Sequence, residues 1–551
     1  MRKPHAIIVA VTVLAVLAGA GIFWFLRSGD GPRDTAEKYL AAWQRGDTAA
    51  MRALVDGPPA DFDQRVTKMR DDLGAVQQRF TVSSVGDPKD GEAGGSYHAA
   101  FTLPGNRTWS YEGTLPFVER DGEWRVSWSP RVLYPELSEG QRLRSSMAWP
   151  DRAAIQAADG SDLGASSSGS VQQIAGPVGP ASAEDAKKIG APYRQGDSVG
   201  TEGLQRQYER RLAGTPAMAV QIVGADDAVV KTIQRFGGTE GQPLKTTLDL
   251  QVQKAAGDAL ADVDKPASMV ALKPSTGEIL AVANKPGGYN RALMGRYPPG
   301  STFKVVTAAA LVAGGLSVNS PVGCPATTSI GGRTFKNAGN EAFGTVPFKD
   351  AFAHSCNTTM ARQTVDRLDQ KRLAEVATQF GFNAPIIAGL PAVRASFPDT
   401  KDDTALASAS FGQGEVLTSP LNMAGVAAAA ANGTWRSPRL VDAALASQAV
   451  DAKGRKPEAP HELEPAVRKA LQTLMPAVVS EGTASKVSFP AGTAGKTGTA
   501  EFGTAEAGEE PPTHAWFIGY RGDVAFAVIV EDGGTGAGAA APVAAKFLRG
   551  L

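Results

Sequence analysis

Residues 6–26 contain no charged side chain and one hydroxyl, Thr12. At about 1.5 Å per helical residue, such a run spans roughly 30 Å, the thickness of the hydrocarbon core of a bilayer. Arg2 and Lys3 precede it and Arg27 comes after it. The short N-terminal flank predicts a signal-anchor, with the rest of the chain exported. A cleaved signal peptide is the competing reading, because Ala18-Gly19-Ala20 forms a small-x-small site. Ile22, Phe23, Trp24 and Phe25 carry the apolar run past that site, and Trp24 suits a membrane interface, so an uncleaved anchor is expected. No cysteine lies near the run, which excludes a lipidated cysteine.

Beyond the anchor the chain is long enough for several cores. A chain of 551 residues implies three or four domains. Its 56 Lys+Arg balance 56 Asp+Glu, which leaves no electrostatic footprint for nucleic acid. Two cysteines exclude a disulfide-dense scaffold and a four-Cys zinc site. Helix-period apolar residues over 34–54, broken at Gly46-Asp47, and a second helical stretch over 66–73 precede three strands over 97–103, 109–118 and 124–128. Asp121-Gly122 is a hairpin turn between the last two. This predicts an α+β domain whose aromatic residues form its core. Residues 151–200 read by composition as a flexible Ser/Gly/Pro linker, although Val171 and Ile174 interrupt it. Further on, 203–212 reads as helix, 218–223 as strand and 251–260 as a capped amphipathic helix. A hairpin over 269–282 turns at Thr276-Gly277, an Ala-rich helical middle comes next, and three strands over 495–502, 514–520 and 524–531 lead to a last helix.

Three short motifs carry chemistry. In Pro298-Pro299-Gly300-Ser301-Thr302-Phe303-Lys304, Pro and Gly just before a helical run place Ser301 at a helix N-terminus. Lys304 is then one turn away, near enough to take the serine's proton. Alone, Ser-x-x-Lys is expected about once by chance in a chain of this size. Ser355-Cys356-Asn357 is the second, two polar side chains that can face one cleft, though Ser and Asn are also ordinary turn residues. Lys496-Thr497-Gly498-Thr499 comes last, on a predicted strand where Lys496 and Gly498 share a face. There Lys496 can hold a carboxylate and Gly498 admits a close neighbour; an exposed edge lysine is the plain alternative.

Ser-x-x-Lys, Ser-x-Asn and Lys-Thr-Gly in this order are the motif set of penicillin-binding proteins and serine β-lactamases. The chain resembles a class B penicillin-binding protein, a peptidoglycan D,D-transpeptidase. Matching stretches include 268–283, Gly412-Gln413-Gly414, Ser419-Pro420, Ala431-Asn432-Gly433, Glu481-Gly482-Thr483 and His514-Ala515-Trp516-Phe517. Cys356 stands where the middle motif often has Asp. Residues 34–46 and 124–130 resemble, more loosely, the N-terminal domain of methicillin-resistance-type members. The resemblance implies a multidomain chain: tail and single transmembrane helix over 1–32, an α+β nuclear-transport-factor-like cone over 33–150, a folded β-rich pedestal of dimerisation type over 151–245, and an α/β transpeptidase domain over 246–551. On the pedestal it conflicts with composition, and the folded reading is preferred.

By the same resemblance, Ser301 is the nucleophile on the D-Ala-D-Ala carbonyl and Lys304 its base. Ser355 passes the proton to the leaving amine, and Asn357 binds Lys304 and the donor peptide. The backbone N–H groups of Ser301 and Thr499 form the oxyanion hole, while Lys496, Thr497 and Thr499 bind the terminal carboxylate. The positive charge of Lys496 lowers the pKa of Lys304. Stem peptides and β-lactams are the expected ligands, the cell membrane and a membrane glycosyltransferase the expected partners. No metal, organic cofactor or nucleic acid is expected. His354 and His514 border the motifs without a catalytic role. Cys324 and Cys356 both lie in the exported part, so a disulfide closing a loop of about 32 residues is a candidate, worth about 3–4 kcal/mol; two buried thiols are the alternative. Two other functions stay open: a carboxypeptidase or β-lactamase that passes the acyl group to water, and a membrane-bound β-lactam sensor or division scaffold that makes no crosslinks.

Overall fold

The structure is a computed structural model that describes residues 31–449, 453–504 and 511–551. The apolar run over 6–26 and the small-x-small site lie outside the described residues. Among the described residues no helix is long and apolar enough to cross a membrane. The chain divides into two compact units, and it passes between them more than once.

The first unit holds the residues up to Arg152 together with Ala181–Asp197 and Ala213–Gly241. Helix Pro32–Arg45 ends at Gly46, whose φ of 73° gives the left-handed cap that glycine accepts without strain. Helices Thr48–Ala53 and Phe62–Leu73 come next. Four antiparallel strands, Gln77–Val85, Glu92–Leu103, Arg107–Arg120 and Glu123–Val126, form a sheet in sequence order. Asp121 and Gly122 both take positive φ, the two-residue turn their sequence predicts. Tyr39 and Trp43 from the first helix pack on Phe80, Tyr97 and Phe101 from the sheet, all buried. The strand Gln77–Val85 escapes sequence reading because it is mostly polar and half exposed. A second, three-stranded antiparallel sheet places Ala217–Val223 between Arg142–Ala148 and Val229–Phe236.

The second unit holds Ala153–Pro180, Ser198–Leu212 and Gln242–Leu551. The stretch 151–245 thus feeds both units. Its Ser-rich segment is no free linker: Val171 and Ile174 are buried on the short helix Gly169–Ala175. Five antiparallel strands form the main sheet, in the order Glu278–Lys285, Ala267–Lys273, Val524–Val530, Thr513–Arg521, Ala494–Glu501. The central strands Ala267–Lys273 and Val524–Val530 are buried almost without alternation, which requires cover on both faces. Helix Leu250–Leu260, capped by the Asp249 carboxylate, packs on one edge hairpin and on the last helix, Ala541–Arg549. Helix Pro420–Asn432 packs on Val524–Val530 and Ala267–Lys273. Strand Ala494–Glu501 is left at the sheet edge, beside the turn that carries Ser301.

Candidate active site

Three chain segments converge at the edge strand. Ser301 lies in a 3₁₀ turn, Gly300–Phe303, that runs into the α-helix Lys304–Ala313. The serine therefore sits one tight turn before the α-helix proper. Two glycines shape this turn. Gly300 has φ 53°, and a Cβ there would lie 2.6 Å from the Thr499 carbonyl oxygen. Gly412 takes φ 73° against the same turn, and its carbonyl accepts the Gly300 N–H at 3.0 Å. Gly498 does what its position on the Lys496 face suggests, but its close neighbour belongs to the chain itself. A Cβ on Gly498 would meet Thr302 Cγ2 at 2.8 Å and Pro299 O at 3.1 Å. The serine turn and the Lys-Thr-Gly strand are in direct contact because neither has a side chain in the way. Trp516, opposite Gly498 in the ladder, donates its indole N–H to Pro298 O at 3.1 Å and holds the turn from below.

Ser355 is the corner between helices Phe348–Ala353 and Asn357–Arg367. Its φ of 58° is left-handed, a conformation that costs a non-glycine residue on the order of 1 kcal/mol and so needs support from its surroundings. Lys304 Nζ donates to the Ser355 carbonyl at 2.6 Å and to Asn357 Oδ1 at 2.6 Å. The Asn357 amide in turn donates to Lys336 O at 3.0 Å. Cys356 is disulfide-bonded to Cys324 on strand Pro321–Cys324. The buried Asn337 side chain accepts the Thr358 N–H at 3.0 Å and donates to Pro325 O and Glu341 O. The corner is held from four sides.

Both lysines are fully buried. Ser355 Oγ lies 3.1 Å from Lys304 Nζ and 2.8 Å from Lys496 Nζ. Lys496 also reaches Thr497 O at 3.1 Å and lies 5.7 Å from the Phe352 ring centroid. Burial pushes Lys496 down to about 7. Burial, reinforced by the charge of Lys496, drives Lys304 well below the usual lysine range. Both amines therefore lose a proton more easily than an ordinary lysine, and on Lys304 the charge of Lys496 adds to the effect of burial. An amine easily made neutral beside a serine turn, a hydroxyl touching two lysines and a second amine that is charged below about pH 7 can together remove a proton, pass it on and bind an anion.

Thr497 Oγ1 lies 2.6 Å from Thr483 Oγ1, and Thr499 Oγ1 accepts the Gly536 N–H at 3.3 Å. Spacing gives no hint of either contact; Glu481-Gly482-Thr483 stands out in the sequence only as a matching stretch. His354 stacks on Phe343 and His514 on Phe502, and His514 Nδ1 accepts the Asp532 N–H at 3.3 Å. These are packing roles. Among the described residues no group of His, Cys, Asp and Glu could hold a metal ion.

Family profiles match three parts of the chain: the penicillin binding protein transpeptidase domain over 267–549, the NTF2-like N-terminal transpeptidase domain over 31–141, and the penicillin-binding protein dimerisation domain over 164–246. Peptidoglycan D,D-transpeptidase PbpA of Mycolicibacterium smegmatis is 35% identical over 353 residues, which covers 55% of this chain and 71% of that protein. Peptidoglycan D,D-transpeptidase MrdA of Acinetobacter baumannii is 26% identical over 428 residues, 67% of this chain and 62% of that one. Penicillin-binding protein PBP2 of Helicobacter pylori, solved in complex with MreC, matches with a TM-score of 0.60 over 74% of this chain and 98% of that chain; at 17% identity this bears on the fold alone.

Proposed function

The chain belongs to the penicillin-binding protein transpeptidase family, and from that premise we propose how it works as a serine D,D-transpeptidase of peptidoglycan stem peptides. Ser301 Oγ attacks the carbonyl between the two terminal D-Ala residues. Its proton goes to neutral Lys304, the Oγ–C bond forms, and the amide C–N bond breaks. Ser355 relays the proton to the departing D-Ala nitrogen. An amine of a neighbouring stem peptide then attacks the acyl-Ser301 ester, and Ser301 recovers its proton as the new amide closes. The backbone N–H groups of Ser301 and Thr499 take the oxyanion, where one such donor is typically worth about 3–4 kcal/mol. Lys496, Thr497 and Thr499 take the terminal carboxylate, and Asn357 orients Lys304 and the donor. A β-lactam takes the same path as far as the acyl-enzyme.

The observation that carries this reading is Ser355 Oγ within hydrogen-bond reach of both buried lysines, on a corner beside the serine turn. It links Lys304, driven toward the neutral form that proton relay requires, with Lys496, which carries the charge that carboxylate binding requires below about pH 7. The run over 6–26 anchors the chain in the cell membrane with the catalytic domain outside. There it works with a membrane glycosyltransferase, in a protein assembly of the kind in which H. pylori PBP2 meets MreC. The experiment is labelling with a fluorescent penicillin and turnover of a thioester donor in the presence of an amine acceptor. The wild type should label and form the new peptide bond, and Ser301→Ala should do neither. Persistent labelling of Ser301→Ala removes the nucleophile assignment. Hydrolysis of the donor without amide formation replaces the transferase with a hydrolase.

A further inference from the structure

We infer that Thr483 is a positioning residue for the carboxylate subsite, fixing the Thr497 hydroxyl as a donor. The inference rests on the reading of Thr497 as a carboxylate ligand. The contact is the 2.6 Å approach of the two threonine hydroxyls, in which either oxygen can donate. The direction matters. A hydroxyl has one hydrogen. If Thr497 gives its hydrogen to Thr483, it turns lone pairs towards an incoming carboxylate and repels it. If Thr483 donates, the Thr497 hydrogen is free for the carboxylate, and the two bonds polarise each other in one direction. Substrate therefore selects the chain Thr483 to Thr497 to carboxylate, and Thr483 must be able to donate.

The surroundings hold Thr483 at that task. Its own N–H donates to Ala353 O at 3.1 Å, on the helix that leads into the Ser355 corner. Gly482 must be glycine for the chain to come this close, because a Cβ there would lie 2.3 Å from Ala353 O. One residue earlier, Glu481 pairs with Lys349 of the same helix at 2.6 Å. Thr497 is 5% exposed and β-branched, so its hydroxyl has few alternative directions. The second threonine of the strand has a parallel arrangement: Thr499 Oγ1 accepts the Gly536 N–H at 3.3 Å, which leaves its hydrogen to donate elsewhere. In Gly536, too, a side chain is excluded, since a Cβ would meet Gly498 O and Trp516 O at 2.4 Å. Each hydroxyl of the subsite thus has an outside partner that can occupy its lone pairs.

The test is second-order acylation of Ser301 by a penicillin and by its methyl ester, monitored by mass shift, in Thr483→Val, Thr483→Ser and Thr497→Val. Valine keeps the volume and removes the donor. A lost hydrogen bond in a chain ending on a charge predicts a fall of about tenfold or more for the free acid. The ester rate should stay within about twofold, and Thr483→Ser should return to wild type. Thr497→Val should show the same selective loss. If Thr483→Val slows acid and ester alike, its role is structural and the inference falls, and it falls equally if neither rate changes while Thr497→Val still discriminates. If Thr497→Val does not discriminate either, the carboxylate reading of Thr497 fails first and takes the inference with it. A variant that folds poorly lowers both rates and is separated by the acid-to-ester ratio.

Discussion

Lys304 and Lys496 meet at one oxygen: Ser355 Oγ is 3.1 Å from the first Nζ and 2.8 Å from the second. Two buried ammonium groups around one hydroxyl are costly, and the site lowers the cost by letting one of them be neutral. A neutral amine offers two N–H groups and one lone pair. The Ser355 carbonyl and Asn357 Oδ1, both at 2.6 Å, take the two hydrogens of Lys304. Its third position faces Ser355 Oγ at 3.1 Å, so a proton can pass between the two.

This division of labour predicts a bell-shaped pH profile for second-order acylation by a penicillin. The acidic limb reports loss of the proton from Lys304. The alkaline limb reports loss of the charge that holds the carboxylate, and burial places Lys496 at about 7 in the free enzyme. The two limbs belong to the coupled pair. A profile flat from about pH 6 to 9 would contradict the assignment of Lys496 as the retained cation. Lys496→Arg, which cannot lose its proton in this range, should retain the acidic limb and lose the alkaline one.

The same shift has a stability consequence of opposite sense. The folded pKa of Lys496 is depressed from about 10.5, so between about 7 and 10.5 the unfolded chain binds the proton that the folded chain has lost. Stability through this group therefore rises with pH across that window, by about 1.4 kcal/mol per unit once titration is under way. Lys496→Met lacks this contribution. Urea unfolding of both proteins at about pH 6.5, 7.5 and 8.5 should show the wild type gaining on the variant as pH rises. A constant gap would mean that Lys496 keeps its proton throughout.

Much of the grouping of the candidate site is legible in the sequence, and the reason is local. Ser301 and Lys304 lie within one turn, and Lys496 and Gly498 on one strand face, so spacing alone fixes their neighbours. The corner at Ser355 was less legible, because its left-handed backbone depends on Asn337, Lys304 and the Cys324–Cys356 bridge, which lie far away in sequence. Contacts such as Thr483 with Thr497 and Gly412 with Gly300 arise only when separate elements pack, and no periodicity announces them. Composition alone misleads over 165–170, because hydroxyls and glycines say nothing of Val171 and Ile174, which are buried on the helix that this exposed segment leads into. The crossing of 151–245 between two units likewise depends on which sheet each strand joins.

The disulfide should act on the fold more than on the chemistry. Cys324 and Cys356 are 32 residues apart, and closing such a loop is worth about 3–4 kcal/mol in the chain-entropy account. Yet two further supports of the Ser355 corner, the hydrogen bond from Lys304 to the Ser355 carbonyl and that from the Thr358 N–H to Asn337, do not run through the bridge. Cys324→Ser combined with Cys356→Ser should lower unfolding stability by about 3 kcal/mol, while the penicillin acylation rate falls less than about fivefold. A larger loss of acylation at unchanged stability would place the bridge in the catalytic geometry.

The closeness of the serine turn to the edge strand can be tested with two glycines of nearly equal φ. Gly300 has φ 53° and Gly522 φ 57°. Alanine carries a similar conformational cost at each, on the order of 1 kcal/mol. They differ in space: a Cβ on Gly522 meets nothing within 4 Å, whereas on Gly300 it meets Thr499 O at 2.6 Å and Ala500 Cβ at 3.0 Å. Gly522→Ala should therefore lose about 1 kcal/mol and acylate at the wild-type rate within about twofold. Gly300→Ala must also push the turn away from the strand that carries the proposed oxyanion N–H of Thr499. Displacing one oxyanion donor typically costs about 10²–10³ in rate, so its acylation should fall about a hundredfold and its stability by more than that of Gly522→Ala. Equal behaviour of the two variants in penicillin acylation and thermal unfolding would mean that the turn and the strand do not touch at Gly300.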